Sequence, residues 1–383
     1  MAAHPGCSRR PWILAVTVRR RNTRLGSALS ETRKGFGDKV RSAYGDTQPY
    51  TQDSGWVSDG RFLMASGPTP LDSPLPTGEL PGHSSFQRRV RWVFLGPNGI
   101  RAGWRMLIFF ALFVVIARLL QAGLKLIPAL ERWRQAQPKG MFTPGTVLLG
   151  ETVAALSVIL AAVVMTFIEK RSLADYGLPG KEAFGKRFWQ GVPFGFAMLT
   201  VLMALIATFH GFSLGGLAIG GAEAARDGIV YFVAFILVGI FEEFSFRGYL
   251  QATLGSGIGF WPAAILLAIG FGALHLGNPG EAKVGAFSAG SFGLLAAFSL
   301  WRTGSLWFPI GLHAAWDWGE TFFYSVPDSG GVAQGHLLNS AFHGSNWLTG
   351  GSVGPEGSLL VFVALGLGAL GIHLLFPVRQ KSL

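Results

Sequence analysis

The stretch Phe241-Glu-Glu-Phe-Ser-Phe-Arg-Gly-Tyr-Leu250 puts two carboxylates and a guanidinium inside an otherwise apolar segment. An acid or base at mid-membrane depth costs ~2.5–3.5 kcal/mol on insertion scales, so such residues need a functional reason. Glu243 and Arg247 stand four apart with the acid first, the favourable order for an ion pair on one helical face. Glu242 is turned about 100° away from that face. One carboxylate is then neutralised by the pair and the other is free for chemistry. The alternative is a buried structural pair beside a second acid that caps something. Phe271-Gly-Ala-Leu-His275 ends another apolar segment, and taken alone its His reads as a satisfied core or interfacial residue. His313-Ala-Ala-Trp-Asp317 lies inside a third, with His and Asp on one helical face. Asp317 could orient the imidazole, or both could bind a shared water or metal.

The three segments together supply two imidazoles, one paired acid and two further carboxylates, enough for general acid/base hydrolysis. A carboxylate with an imidazole could polarise a water, and a second imidazole could stabilise the oxyanion of a tetrahedral intermediate. Other hydrolytic chemistries fit poorly. There is no His-Glu-x-x-His, and the sole cysteine, Cys7, lies far from these segments. A serine route through Ser288 or Ser291 with His313 is weak, because those serines sit among small residues that helix packing explains.

The elements that must position these groups are apolar helices. Of the 383 residues half are hydrophobic and 14% are charged, and mean hydropathy is +0.39. A soluble globular domain carries ~25% charged residues. A single cysteine excludes a disulfide framework, and no G-X-Y period supports a collagen. A span needs ~20 apolar residues. Eight candidates are expected, near 104–124, 147–168, 188–209, 228–250, 258–276, 283–301, 305–324 and 357–376. The predicted fold class is therefore all-α, a polytopic transmembrane helix bundle of about eight spans.

Charge is uneven along the chain. Residues 1–105 hold 16 Lys/Arg and 7 Asp/Glu, a balance of +9 out of the total +11. Residues 1–87, rich in Ser, Gly, Pro and Asp, read as a disordered basic arm; residues 88–383 read as the membrane domain. The apolar run Pro11–Val18 is short and precedes its arginines, so no signal peptide is expected. This is a distribution for an anionic lipid surface and not for nucleic acid. Most basic loop residues fall on one side if both termini are cytoplasmic, and residues 325–356, without Lys or Arg, then face outward. Arg132, Arg134 and Lys139 dissent. His336 and His343 in that outer segment read as surface residues.

Glu242-Glu243-x-x-x-Arg247, Phe271-x-x-x-His275 and His313-x-x-x-Asp317, in that order on separate apolar helices, resemble the type II CAAX prenyl endopeptidase and bacteriocin-processing (CPBP or Abi) family of intramembrane proteases. The likeness covers roughly residues 100–376, with a motif core at 228–318. Lys170–Leu178 and Trp347-Leu-Thr-Gly-Gly are similar to stretches of bacterial members. The resemblance implies that Glu242 with His275 activates the attacking water. It implies that His313 and Asp317 stabilise the oxyanion, and that Glu243, Arg247 and Phe271 support the site. Prenyl proteases of the family carry Asn at the position of Asp317. An ionised Asp cannot donate to an oxyanion, so Asp317 would be protonated, orient His313 or bind a metal.

The family is often labelled a metalloprotease. No cofactor follows from the residues as certain, although Glu242, His275, His313 and Asp317 could hold zinc or another divalent metal. The implied protein sits in a bacterial plasma membrane and cuts a lipidated or membrane-associated peptide or protein, with its oligomeric state open. A non-catalytic membrane scaffold is the main alternative. A proton-coupled transporter is a weaker one, since no internal repeat is evident. One tension stands: with straight helices His275 lies near the outer surface while Glu242 and His313 lie at mid-depth. The helix that carries His275 is expected to start deep, to tilt or to follow a re-entrant 250–260 segment, a break for which Gly255, Gly257, Gly259 and Pro262 give room; if the groups stay apart, the hydrolase reading fails.

Overall fold

Thr143 and Thr146 cap each other's backbone N–H groups, and Pro144 takes the first helical position, where its missing N–H costs nothing. From this start a helix runs to Glu169, where Lys170 turns left-handed (φ 54°) and stops it. The computed structural model describes residues 92–377, except 97–98, 139–141 and 279–282, and the two-residue strands Trp56–Val57 and Arg61–Phe62. The rest of the expected arm 1–87, with Cys7, lies outside the described residues. All residues discussed below belong to one unit, 53–383.

The chain is all-α. Its helices are α1 (Ala102–Lys125), α2 (Pro128–Gln135), α3 (Pro144–Glu169), α4 (Lys186–Thr208), α5 (Gly221–Glu243) and α6 (Gln251–Ile258). They continue with α7 (Phe260–His275), α8 (Lys283–Thr303), α9 (Trp307–Trp318), α10 (Asn346–Thr349) and α11 (Val361–Leu375). Two wider-wound π segments interrupt the regular geometry. Phe244–Leu250 joins α5 to α6, and Gly319–Tyr324 extends α9. Such segments are rare and concentrate at functional sites.

The eight expected windows each fall on an apolar helical stretch, of which some are too short to confirm a count of eight spans. Among the described residues, five helical stretches are long and apolar enough to cross a membrane: α1, α3, α4, the continuous 38-residue stretch Gly221–Ile258, and α8. Their length and composition make this an integral membrane protein. α7 and α11, with 16 and 15 residues, are shorter, and α9 has 12 before its winding changes. Hydropathy windows had counted adjoining turn residues as helix. The chain break is also narrower than expected. Gly255 and Gly257 stay helical, and the turn falls on Gly259 alone, whose φ of +86° suits glycine.

Three helix pairs carry the packing around the motif residues: α4 with α9, α7 with α8, and α3 with α5. α4 and α9 meet through glycines. A Cβ on Gly195 would lie 2.0 Å from the Leu312 carbonyl oxygen, and one on Gly311 would lie 2.3 Å from that of Phe188. Close backbone approach through small residues is the main route to tight helix contact in lipid. The clash partner is backbone next to His313. Gly195→Ala is therefore expected to destabilise the protein by ~1–3 kcal/mol and to lower its midpoint in a detergent melt. An unchanged midpoint would contradict this packing.

Residues 325–356 are tied down more than a surface loop would be. Ala341–Phe342 pairs antiparallel with Phe212–Ser213, and single bridges join Leu217 to Leu338 and Phe142 to Ala333. His343 Nε2 lies 2.8 Å from Ser213 Oγ, and His336 Nδ1 lies 2.9 Å from the Ala333 carbonyl. The Lys170–Leu178 stretch forms a 3-10 turn, Leu173–Tyr176, started by a Ser172/Asp175 capping box. Tyr176 is buried with its ring 4.8 Å from Tyr249, whose hydroxyl donates to Glu169. Glu169 also takes a 2.7 Å ion pair from Arg105. This stretch has a structural part, locking α1 and α3 to the π segment that follows Glu243.

Candidate active site

α5 delivers Glu242 and Glu243 at its C-terminal end, and the chain then widens into the first π segment, which carries Arg247. Arg247 Nη1 lies 3.3 Å from Glu243 Oε1, and the pair is buried, with Glu243 0% and Arg247 3% exposed. The pairing expected from the four-residue spacing forms. Arg247 also donates from Nε to the Gly293 carbonyl at 3.2 Å, and its guanidinium stacks 4.3 Å from the Phe271 ring centre. Gly293 is needed for this: a Cβ there would lie 2.1 Å from Arg247 Nη2.

His313 stands at the centre. Its Nδ1 is 2.9 Å from Glu243 Oε1, so an Nδ1–H donates to a carboxylate already fixed by Arg247. Its Nε2 faces two other acids, Glu242 Oε2 at 3.8 Å and Asp317 Oδ2 at 3.6 Å. Phe292 closes one side, with ring centres 5.0 Å apart. The His313/Asp317 spacing read from the sequence thus holds in space. The carboxylates differ in access. Glu243 and Asp317 are buried, whereas the Glu242 side chain keeps 24% exposure. Of these three carboxylates Glu242 is the most exposed.

His275 joins this group through an aromatic ring. Its Nδ1 lies 2.8 Å from the Phe271 carbonyl, and its ring lies 4.5 Å from the Phe271 ring, which in turn covers Arg247. Donation from Nδ1–H leaves the lone pair of the neutral ring on Nε2. The turn at Gly259 starts α7 so that its C-terminal end is one ring away from the ion pair, which eases the tension in depth. The described contacts of Glu242 are with His313, and none joins it to His275.

Two features were not anticipated. Glu151 on α3 interacts electrostatically with Glu242 and His313, which adds a carboxylate to the group. A lone acid in the second turn of an apolar helix looks interfacial in sequence, so nothing flagged it. A second cluster of acids, Glu320, Asp328 and Glu356, brings one oxygen from each residue within 4.8 Å of the others. Burial, and then the neighbouring Glu356 charge, push the Asp328 carboxyl up to about 8.

Of the residues offered to a metal, His313 Nε2 with Glu242 and Asp317 supplies one nitrogen and two oxygens. The described contacts do not bring His275 to them. Ser291 Oγ donates to the Phe287 carbonyl of its own helix, and Ser288 is buried in helix packing, as expected for structural serines.

Residues 225–319 match a family model described as type II CAAX prenyl endopeptidase Rce1-like. The matched segment contains Glu242, Glu243, Arg247, Phe271, His275, His313 and Asp317 and ends one residue before Glu320. No curated protein matches the chain.

Proposed function

We propose, from the match of residues 225–319 to that protease family and from the geometry it encloses, that this protein is an intramembrane endopeptidase. It hydrolyses a peptide bond of a lipidated or membrane-associated peptide or protein. The observation that carries the reading is the asymmetry between adjacent acids. Glu243 is sealed beneath Arg247 and His313, and Glu242 is open beside them.

In the proposed reaction Glu242 takes a proton from a water, whose oxygen bonds to the scissile carbonyl carbon. The carbonyl oxygen becomes an oxyanion that accepts a hydrogen bond from Nε2–H of His313 in its imidazolium form, whose Nδ1–H stays on Glu243, with Asp317 beside Nε2. Collapse of the tetrahedral adduct breaks the C–N bond, and the proton held by Glu242 passes to the leaving amine. The buried Glu243–Arg247 pair keeps Nδ1 of His313 as a donor and so fixes which nitrogen faces the substrate. His275, whose Nδ1 is held by the Phe271 carbonyl, keeps Nε2 free to assist the water. A divalent metal, if bound by His313, Glu242 and Asp317, would supply Lewis acidity to the carbonyl oxygen.

We place the protein in a bacterial plasma membrane, from the likeness of its Lys170–Leu178 and Trp347–Gly351 stretches to bacterial members, with both termini cytoplasmic, from the basic residues of the short loops. Purified protein in liposomes, incubated with a library of membrane peptides, is expected to give discrete cleavages by mass spectrometry that His275→Ala abolishes. Cleavage that persists in His275→Ala would remove that residue from the reaction. No cleavage of any library member would turn the assignment toward a non-catalytic scaffold. Asp317 gives a finer test. Asp317→Asn retains a hydrogen-bonding group of the same size beside His313 and should keep cleavage within about tenfold, whereas Asp317→Ala should lose ~10²–10³-fold, the scale of one oxyanion-hole donor. Equal losses in both would mean that the Asp317 charge itself is required.

A further inference from the structure

Glu320, Asp328 and Glu356 come from three elements: the π segment after α9, the loop behind it, and the 3-10 turn Pro355–Gly357 before α11. Short backbone contacts bring them together. Val326 N–H donates to the Glu320 carbonyl at 3.0 Å, and Gly330 N–H to the Val353 carbonyl at 2.9 Å. Gly354, at φ +108°, lets the chain pass so close that a Cβ would lie 2.0 Å from the Pro327 carbonyl oxygen.

The segment 325–356 contains no Lys or Arg, and no ion pair to these acids occurs among the described residues. Thr321 Oγ1 donates to Asp328 Oδ2 at 2.9 Å, and Ser329 Oγ donates to Glu356 Oε2 at 2.7 Å. Glu320 is different. It is 0% exposed, and neither of its carboxylate oxygens makes a hydrogen bond, the indole N–H of neighbouring Trp316 being likewise unbonded. A fully buried carboxylate without a partner is costly, and this one converges with two other acids. A shared proton would require a short oxygen–oxygen contact to Glu320, and none is present among the described residues.

We propose that Glu320, Asp328 and Glu356 bind a hard divalent cation, calcium, which staples the 325–356 segment and the start of α11 to the helix that carries His313 and Asp317. The donors are all oxygen, which favours calcium over zinc. Two oxygens bound at ~2.4 Å to one ion lie no more than ~4.8 Å apart. The observed spread of the three ligand atoms, within 4.8 Å, fits that limit. Asp317 lies three residues before Glu320, so the ion would brace the same helical stretch that forms the site above.

The test uses the full chain in neutral detergent, stripped with chelator and titrated with calcium chloride. The thermal midpoint is read by intrinsic fluorescence, and bound calcium by isothermal titration. Wild type is expected to show one site per chain and a midpoint that rises with calcium and then levels off. Glu320→Gln and Glu356→Gln should each weaken calcium binding at least about tenfold. Glu356→Gln alters the more accessible acid and serves if Glu320→Gln does not fold. No calcium-dependent rise in wild type would overturn the proposal, as would an equal rise in both variants, which would place the ion elsewhere. A response to magnesium at equal concentration as large as that to calcium would overturn the calcium assignment.

Discussion

Glu242→Gln is expected to leave a folded, membrane-inserted protein that cleaves ~10²–10⁴-fold more slowly, the usual contribution of a general base. The replacement is nearly isosteric and keeps a hydrogen-bonding oxygen, but it cannot accept a proton from water at neutral pH. Glu242 takes no part in the buried ion pair and is partly exposed, so its loss should leave the midpoint of thermal unfolding near that of wild type. Both halves matter. Activity lost together with stability would be a folding defect. Activity retained in a well-folded Glu242→Gln protein would sink the proposed mechanism, and Glu151, a further carboxylate whose charge acts on Glu242 and His313, would become the next residue to replace.

Arg247→Ala should act in the opposite sense, on stability first. It strips the counter-charge from a carboxylate with no solvent exposure, and breaking a buried pair from one side costs ~3–5 kcal/mol. That is a large share of the ~5–15 kcal/mol that holds a typical domain folded. The stacking on Phe271 and the bond to the Gly293 carbonyl go with it. Replacing both partners tests the argument. Glu243→Gln with Arg247→Met removes the two charges and keeps an acceptor for His313 Nδ1. Most of the lost stability should return, while cleavage stays low because His313 is no longer held by a charged pair. The melting midpoint in a fixed detergent reads the first effect and the peptide assay the second. An Arg247→Ala midpoint equal to that of wild type would show that Glu243 is balanced in another way.

The order of these effects follows from what local spacing can and cannot encode. Glu243 with Arg247, and His313 with Asp317, are four-residue neighbours, and helical geometry alone brings each pair together. Their approach to one another is non-local. The bond from His313 Nδ1 to Glu243 depends on α5 and α9 packing side by side, and on glycines such as Gly195 that let α4 and α9 close. Composition showed a membrane bundle, and each of the eight windows falls on an apolar helical stretch, but among the described residues only five of those stretches are long enough to cross a membrane by themselves. Four Gly or Pro residues could have broken the chain near 255–262. Only a positive φ distinguishes Gly259, and φ is a property of the folded backbone. The π segments leave no comparable trace in the pattern of apolar residues. Glu320, Asp328 and Glu356 are spread over 37 positions of sequence and converge only through backbone contacts between turns.

The 38-residue stretch from Gly221 to Ile258 is ~57 Å along its path at ~1.5 Å per residue, nearly twice the ~30 Å thickness of a hydrocarbon layer. Upright, it would leave some 27 Å of rod outside the oil; even at the ~40° upper end of ordinary tilts it would overshoot. It must therefore lean and also project into the headgroup zone. Glu242 rides on it as a fixed mark, about 32 Å from one end and 24 Å from the other. Lipids with longer or shorter acyl chains change the lean of this stretch, and with it the depth of that carboxylate. Under the proposed function, membrane thickness then sets which bond of a substrate would lie opposite Glu242.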